Sequence, residues 1–93
     1  MINYSEIFQA YTQRAAEFAD EWKINDPSIH LLDIIRSVMM HRDGIQIGGH
    51  FVTAVCDNDL RGALGRADST CREHLNIIVS AYMNAHVNIE QHV

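Results

Sequence analysis

Cys71 and His74 stand three residues apart on one predicted helix. That spacing lets two side chains face one ion, and Cys56 with His50 would complete a four-ligand zinc set. The set lacks the paired CxxC or HxxxH spacing of a structural zinc site, and the six histidines, at 30, 41, 50, 74, 86 and 92, are scattered. Ordinary surface or half-buried histidines are the stronger reading, and neither a metal nor a cofactor is expected. Cys56, His50 and Asp57 offer a second chemistry, a thiol nucleophile with a base and an orienting acid. Residues 50, 56 and 57 do not all share one helix face. No glycine-rich nucleophile turn, paired-carboxylate motif or phosphate loop is present, so catalysis is not expected.

A third chemistry is anion binding. The Gly48-Gly49 break exposes backbone N–H groups at a helix N-terminus, where negative charge is favoured. Arg42, Arg61 and Arg66 lie nearby in sequence, and the planar fork of arginine suits phosphate. A phosphate-bearing small molecule, such as a signalling nucleotide, is the ligand this would take. The competing and stronger reading is a tight turn that lets two helices pack.

The elements that would position these groups read as helices. Asn3 followed by Glu6 makes a capping-box start for a helix from about Tyr4 to Lys23. Tyr4, Phe8, Tyr11, Ala15, Phe18 and Trp22 then fall at 4-3-4-3-4 spacing along one face. Five of the chain's seven aromatics lie here. The stripe either docks on the rest of the fold or pairs with another chain, and Tyr11 and Trp22 are its candidate interface anchors, in a homodimer or against a partner protein.

Asp26-Pro27 predicts the start of a second helix, with proline at the first helical position, and Gly44 predicts its end. A short helix from about His50 to Asp57 follows the Gly48-Gly49 break, and Asn58 or Asp57 would cap the next. That next helix carries Leu60, Ala63, Leu64 and Ala67 as its apolar positions, with Gly62 and Gly65 in the same turns. Asp68-Ser69-Thr70, with Glu73 completing a capping box from Thr70, predicts a last helix reaching about His86. No segment alternates with period two. The expected fold is all-α: a single helical domain over 1-93, an irregular compact bundle of about five helices.

Composition narrows the function classes. At 93 residues, 47 % hydrophobic and 20 % charged, the chain has the balance of a folded globular domain. A formal charge of −5 argues against a nucleic-acid partner, whose affinity comes from phosphate neutralisation. No apolar run approaches the ~20 residues of a membrane span. Glu6 and polar residues interrupt the N-terminus before a signal-peptide pattern develops, so a cytoplasmic protein is expected. Cys56 and Cys71 fall short of a disulfide framework and read as buried free thiols. Residues 36 to 72 hold five arginines against four acids, a middle segment suited either to binding or to ordinary ion pairing.

One further signal is a resemblance. The stretch GIQIGGHFVTAVCDNDLRGALGRAD, from Gly44 to Asp68, carries a "GGHFVTAVCDNDL" phrase, an "A…GRAD" phrase and then an apolar helix. Over about Asp43 to Ala85 it resembles small uncharacterised proteins encoded by bacteriophages and prophages, a family that carries no assigned activity to transfer. The resemblance implies a non-enzymatic protein that acts on a host bacterial protein or complex. Small phage proteins of this type often block bacterial enzymes or defence complexes by occupying a surface, as anti-CRISPR inhibitors do. Arg61 and Arg66, with Tyr11 and Trp22, are the residues expected to carry such an interaction. The alternative is a sponge for a phosphate-bearing signal at Gly48, Gly49 and Arg42. A DNA mimic built on Glu6, Glu17, Asp20 and Glu21 has too few charges to imitate a phosphate array.

Overall fold

Asn3 opens the first helix as its residue type predicts. Its Oδ1 accepts from the Glu6 backbone N–H at 2.9 Å, and its own N–H donates to Glu6 Oε1 at 3.1 Å. The computed structural model describes residues 3–88. After this box come α1 (Tyr4–Glu21), α2 (Ile29–Arg42), α3 (His50–Cys56), α4 (Leu60–Arg66), α5 (Ser69–Glu73) and α6 (Leu75–Asn84). No strand occurs among the described residues, and the fold is all-α.

Of the four helix starts expected after α1, three are capped differently, each because a different side chain reaches the free N–H groups. Ser28 Oγ accepts from Leu31 N at 3.1 Å, so α2 is capped by Ser28. Asp26 instead adopts φ 46° in the connecting turn, and Pro27 precedes the cap. Asp59, rather than Asn58 or Asp57, caps α4 by accepting from Gly62 N at 3.0 Å. Asp68, rather than Thr70, caps α5 by accepting from Cys71 N at 2.9 Å. The expected single last helix is two, because His74 leaves helical geometry at φ −118°, ψ 23°. Six helices therefore stand among the described residues where about five are expected. The start of α3 at His50, after Gly49, agrees with expectation.

The ends of α1, α2 and α3 share one device. In each, the residue after the C-cap takes a left-handed backbone, and its N–H and the next one bond back to carbonyls of the last turn. Gly44 does this at φ 75°, with Gly44 N to His41 O at 3.1 Å and Ile45 N to Met40 O at 2.9 Å. Lys23 (φ 58°) and Asn58 (φ 60°) do the same after α1 and α3, although neither is glycine. The half-buried Ile24 and Ile45 then fold back against the core.

α2 is the central helix and packs against α1, α3, α5 and α6. Its Leu31, Ile35, Val38, Met39 and Met40 are buried, joined by Tyr11, Ala15 and Phe18 from α1 and by Ile77, Ile78 and Ala81 from α6. These side chains form one continuous core, the main stabilising contribution of a chain this size. α4 packs chiefly on α3. Gly62 lets it approach closely, since a Cβ there would strike the Asp59 cap and lie 3.4 Å from Ala54 Cβ.

Candidate functional site

The aromatic stripe of α1 is used inside the fold. Tyr11 is only 2 % exposed, and its hydroxyl donates to Asp43 Oδ2 at 2.7 Å. It is therefore not a surface anchor, a correction to the sequence expectation, because α1 packs on α2 and sets Tyr11 against the C-cap of that helix. Trp22 remains exposed at the end of α1, tilted at 42° against Phe18 with centroids 6.3 Å apart. Tyr4, the other exposed aromatic of the stripe, lies at the opposite end, roughly 27 Å away at the rise of an α-helix.

Arg42 is also withdrawn from the Gly48-Gly49 turn. Its Nη1 donates to the carbonyls of Ala81 (3.1 Å), Tyr82 (2.9 Å) and Ala85 (2.7 Å), closing the C-terminal end of α6. Its other nitrogens hold Asp43 in a two-point pair, Nε to Oδ1 at 2.7 Å and Nη2 to Oδ2 at 3.0 Å. Burial works to raise the Asp43 pKa, but the hydrogen bonds from Arg42 and Tyr11 outweigh it and hold the carboxyl below its ordinary value. Burial, and then the neighbouring Asp43, push the Tyr11 phenol up. Sequence reading missed this network, since all its links but the adjacent Arg42–Asp43 pair span 32 to 43 positions.

At the turn itself, Gly48 N–H donates to His41 Nδ1 at 2.9 Å, so that donor is already engaged. Gly48 and Gly49 line a groove with His50, Thr53, Asp57, Asp59 and Arg66. Arg66 brings positive charge, but the two carboxylates oppose a phosphate in the same space.

The thiols are poorly set for chemistry. Cys56 Sγ lies 3.8 Å from the Val38 carbonyl, and burial followed by Asp57 raises its pKa, the reverse of nucleophile activation. Burial pushes the Cys71 thiol up to about 11. Among the described residues no three His, Cys, Asp or Glu side chains converge as a metal would need, and His92 lies outside them. His30 instead meets Asp68, Nε2 to Oδ2 at 2.7 Å, joining the start of α2 to the cap of α5.

α4 presents the remaining candidates, Arg61 and Arg66. Arg14, Arg36, Arg42 and Arg72 are each committed to carboxylates or backbone carbonyls. Arg61 and Arg66 are exposed and make no hydrogen bond or ion pair with any described residue. Beside them Leu60 (64 % exposed) and Leu64 reach solvent from α4, and Val79 and Met83 (64 % exposed) reach it from α6. A groove of about 200 Å³ lies where α3, α4 and α6 meet, lined by the apolar Ala54, Val55, Leu60, Ala63, Leu75 and Val79 together with Asn58 and Asp59. Sequence reading found the arginines and gave Leu60 and Leu64 as apolar positions of their helix, without showing that these positions face solvent. The one available signal was the glycine content of α4, which marks a thin helix with little of its surface to bury.

No helix among the described residues is long and apolar enough to cross a membrane. Compared with protein families, curated proteins and solved structures, the chain matches no family model, no curated protein and no solved structure.

Proposed function

We propose that this chain is a small non-enzymatic binding protein of the phage type, which inhibits a host bacterial protein or defence complex by stoichiometric contact in the host cytoplasm. The observation that carries the binding part is α4: two exposed leucines stand beside Arg61 and Arg66, whose side chains have no partner among the described residues. Arginine next to exposed large apolar side chains is the composition of an interface core. Lone exposed apolar residues are common, whereas a cluster on two adjacent helices marks an interaction surface. The host-directed, anti-defence part rests on the resemblance to phage-encoded proteins.

Affinity capture from a bacterial lysate, with the R61E/R66E double variant as control, tests the reading. One host protein captured in stoichiometric amount by the natural chain and lost with the variant supports it and names the target. Equal capture by both removes the arginine face.

The phosphate sponge stands second, favoured by Arg66 beside the Gly48-Gly49 turn and opposed by Asp57 and Asp59. A panel of cyclic nucleotides that leaves the melting temperature unmoved eliminates it.

A further inference from the structure

The groove beside the Gly48-Gly49 turn, about 460 Å³, holds charges of both signs that leave each other unpaired. Arg66 enters it from the last turn of α4, and Asp57 from the C-cap of α3. Asp59 lies with Asp57 at the start of α4, so the lining is negative toward one end of that helix and positive toward the other. Asp59 and Arg66 stand roughly 10 Å apart along the helix at the rise of an α-helix. Asp59 Oδ1 is engaged as the cap of α4. The Asp57 carboxylate and the Arg66 guanidinium have no hydrogen-bond or ion-pair partner among the described residues.

This arrangement sorts ligands by charge. A lone anion at Arg66 is opposed by Asp57 and Asp59, and a lone cation at Asp57 is opposed by Arg66. A molecule that carries an ammonium and a carboxylate satisfies both, each through a charge-assisted hydrogen bond. An α-amino acid has the right reach. Its amino nitrogen and carboxyl carbon are about 2.5 Å apart, and a contact of about 2.8 Å at each end extends the span to roughly 8 Å. Ile47, 86 % exposed, lines the same groove and offers apolar surface to a side chain. Thr53, midway along α3, supplies a hydroxyl to the lining, and His50 is its remaining titratable group. The volume falls within the range of small-molecule sites.

We infer that this groove binds a free α-amino acid with an apolar side chain, its carboxylate on Arg66, its ammonium on Asp57 and its side chain against Ile47. The inference goes beyond the binding-protein reading, with which it shares Arg66 alone.

L-leucine is the probe, titrated into the intact chain by calorimetry and by amide chemical-shift mapping. Beside it stand N-acetyl-leucine, which lacks the ammonium, and leucinamide, which lacks the carboxylate. Leucine is expected to bind with a dissociation constant of about 0.1–1 mM and to shift Gly48, Thr53 and Asp57. Each blocked analogue is expected to bind about tenfold or more weakly. D57N and R66Q, both at exposed positions, are each expected to weaken leucine about tenfold while leaving the melting temperature in place. D57N should leave N-acetyl-leucine unchanged, and R66Q should leave leucinamide unchanged, because each analogue already lacks the contact its variant removes. No leucine binding up to about 20 mM, equal binding of all three compounds, or unaltered leucine affinity in D57N overturns the inference. So does a cyclic nucleotide that binds where leucine does not, which returns the groove to phosphate.

Discussion

The Tyr11 hydroxyl donates to Asp43 across 2.7 Å, tying the middle of α1 to the C-cap of α2. Asp43 is in turn held by Arg42, whose third arm closes α6, so three helices meet at one carboxylate.

Y11F keeps the ring and removes the donor, leaving Asp43 with Arg42 alone. The expected loss is about 1–2 kcal/mol in urea denaturation, the usual cost of depriving a half-buried charged acceptor of one bond. A loss below about 0.3 kcal/mol would show that water replaces the phenol without cost.

Removing Arg42 should be more damaging. R42M leaves the Ala81, Tyr82 and Ala85 carbonyls without their shared donor and Asp43 without its charge partner, for about 2–4 kcal/mol. R42K is expected to recover only part of this, because an ammonium cannot bond Asp43 at two points while reaching three carbonyls. Full recovery by lysine would refute the geometric argument.

Acid should weaken the fold through two carboxylates. Asp43 is held below its ordinary 3.8, and Asp68 lies at about 2, chiefly through the Cys71 backbone N–H and then His30. Groups with depressed folded-state pKa stabilise the protein above the unfolded value and lose that contribution as pH falls through the folded one. The melting temperature is therefore expected to fall as pH drops from about 4 toward 2, and D43N to fall less steeply there. An identical acid limb in D43N would exclude Asp43 as a contributor.

At Lys23 the native backbone is left-handed, which costs a side-chain-bearing residue roughly 1 kcal/mol. K23G should therefore raise stability by about 0.5–1 kcal/mol, as glycine commonly does at this position of a helix end. Thermal melts decide it, and destabilisation would mean that the lysine stem packs usefully against α1.

On the exposed face, L60D and R61E should leave stability within about 0.5 kcal/mol of the natural chain, since both side chains lie in solvent. A melting temperature lowered by many degrees would show that α4 depends on those side chains for its own packing.

What the sequence determined by itself lies within a few residues' reach. Asn3 and Glu6 box the first helix, Gly44 ends the second, and the 4-3-4 stripe marks which side of α1 turns inward. Each of these depends on bonds or faces spanning about one turn, which residue type and spacing specify directly. Even locally, competition blurred the reading. Ser28 won the cap from Asp26, Asp59 won it from Asn58, and Asp68 won it from Thr70, because neighbouring residues of equal capping ability differ only in the backbone angle the chain leaves them.

Tertiary structure decided the rest. Tyr11 is buried while Leu60 is exposed, although both are apolar positions of their helices, because α2 covers the Tyr11 side of α1 whereas α3 covers α4 on its Ala63 side and leaves Leu60 in solvent. Arg42 and Arg61 are the same residue type in one basic segment. Folding brings the end of α6 and Asp43 to Arg42 and brings no acceptor to the Arg61 side chain among the described residues. A periodic pattern says that a helix has an apolar face. Whether that face finds cover, and whether a charge finds its partner, depends on residues tens of positions away, brought together only by the packing of the whole chain.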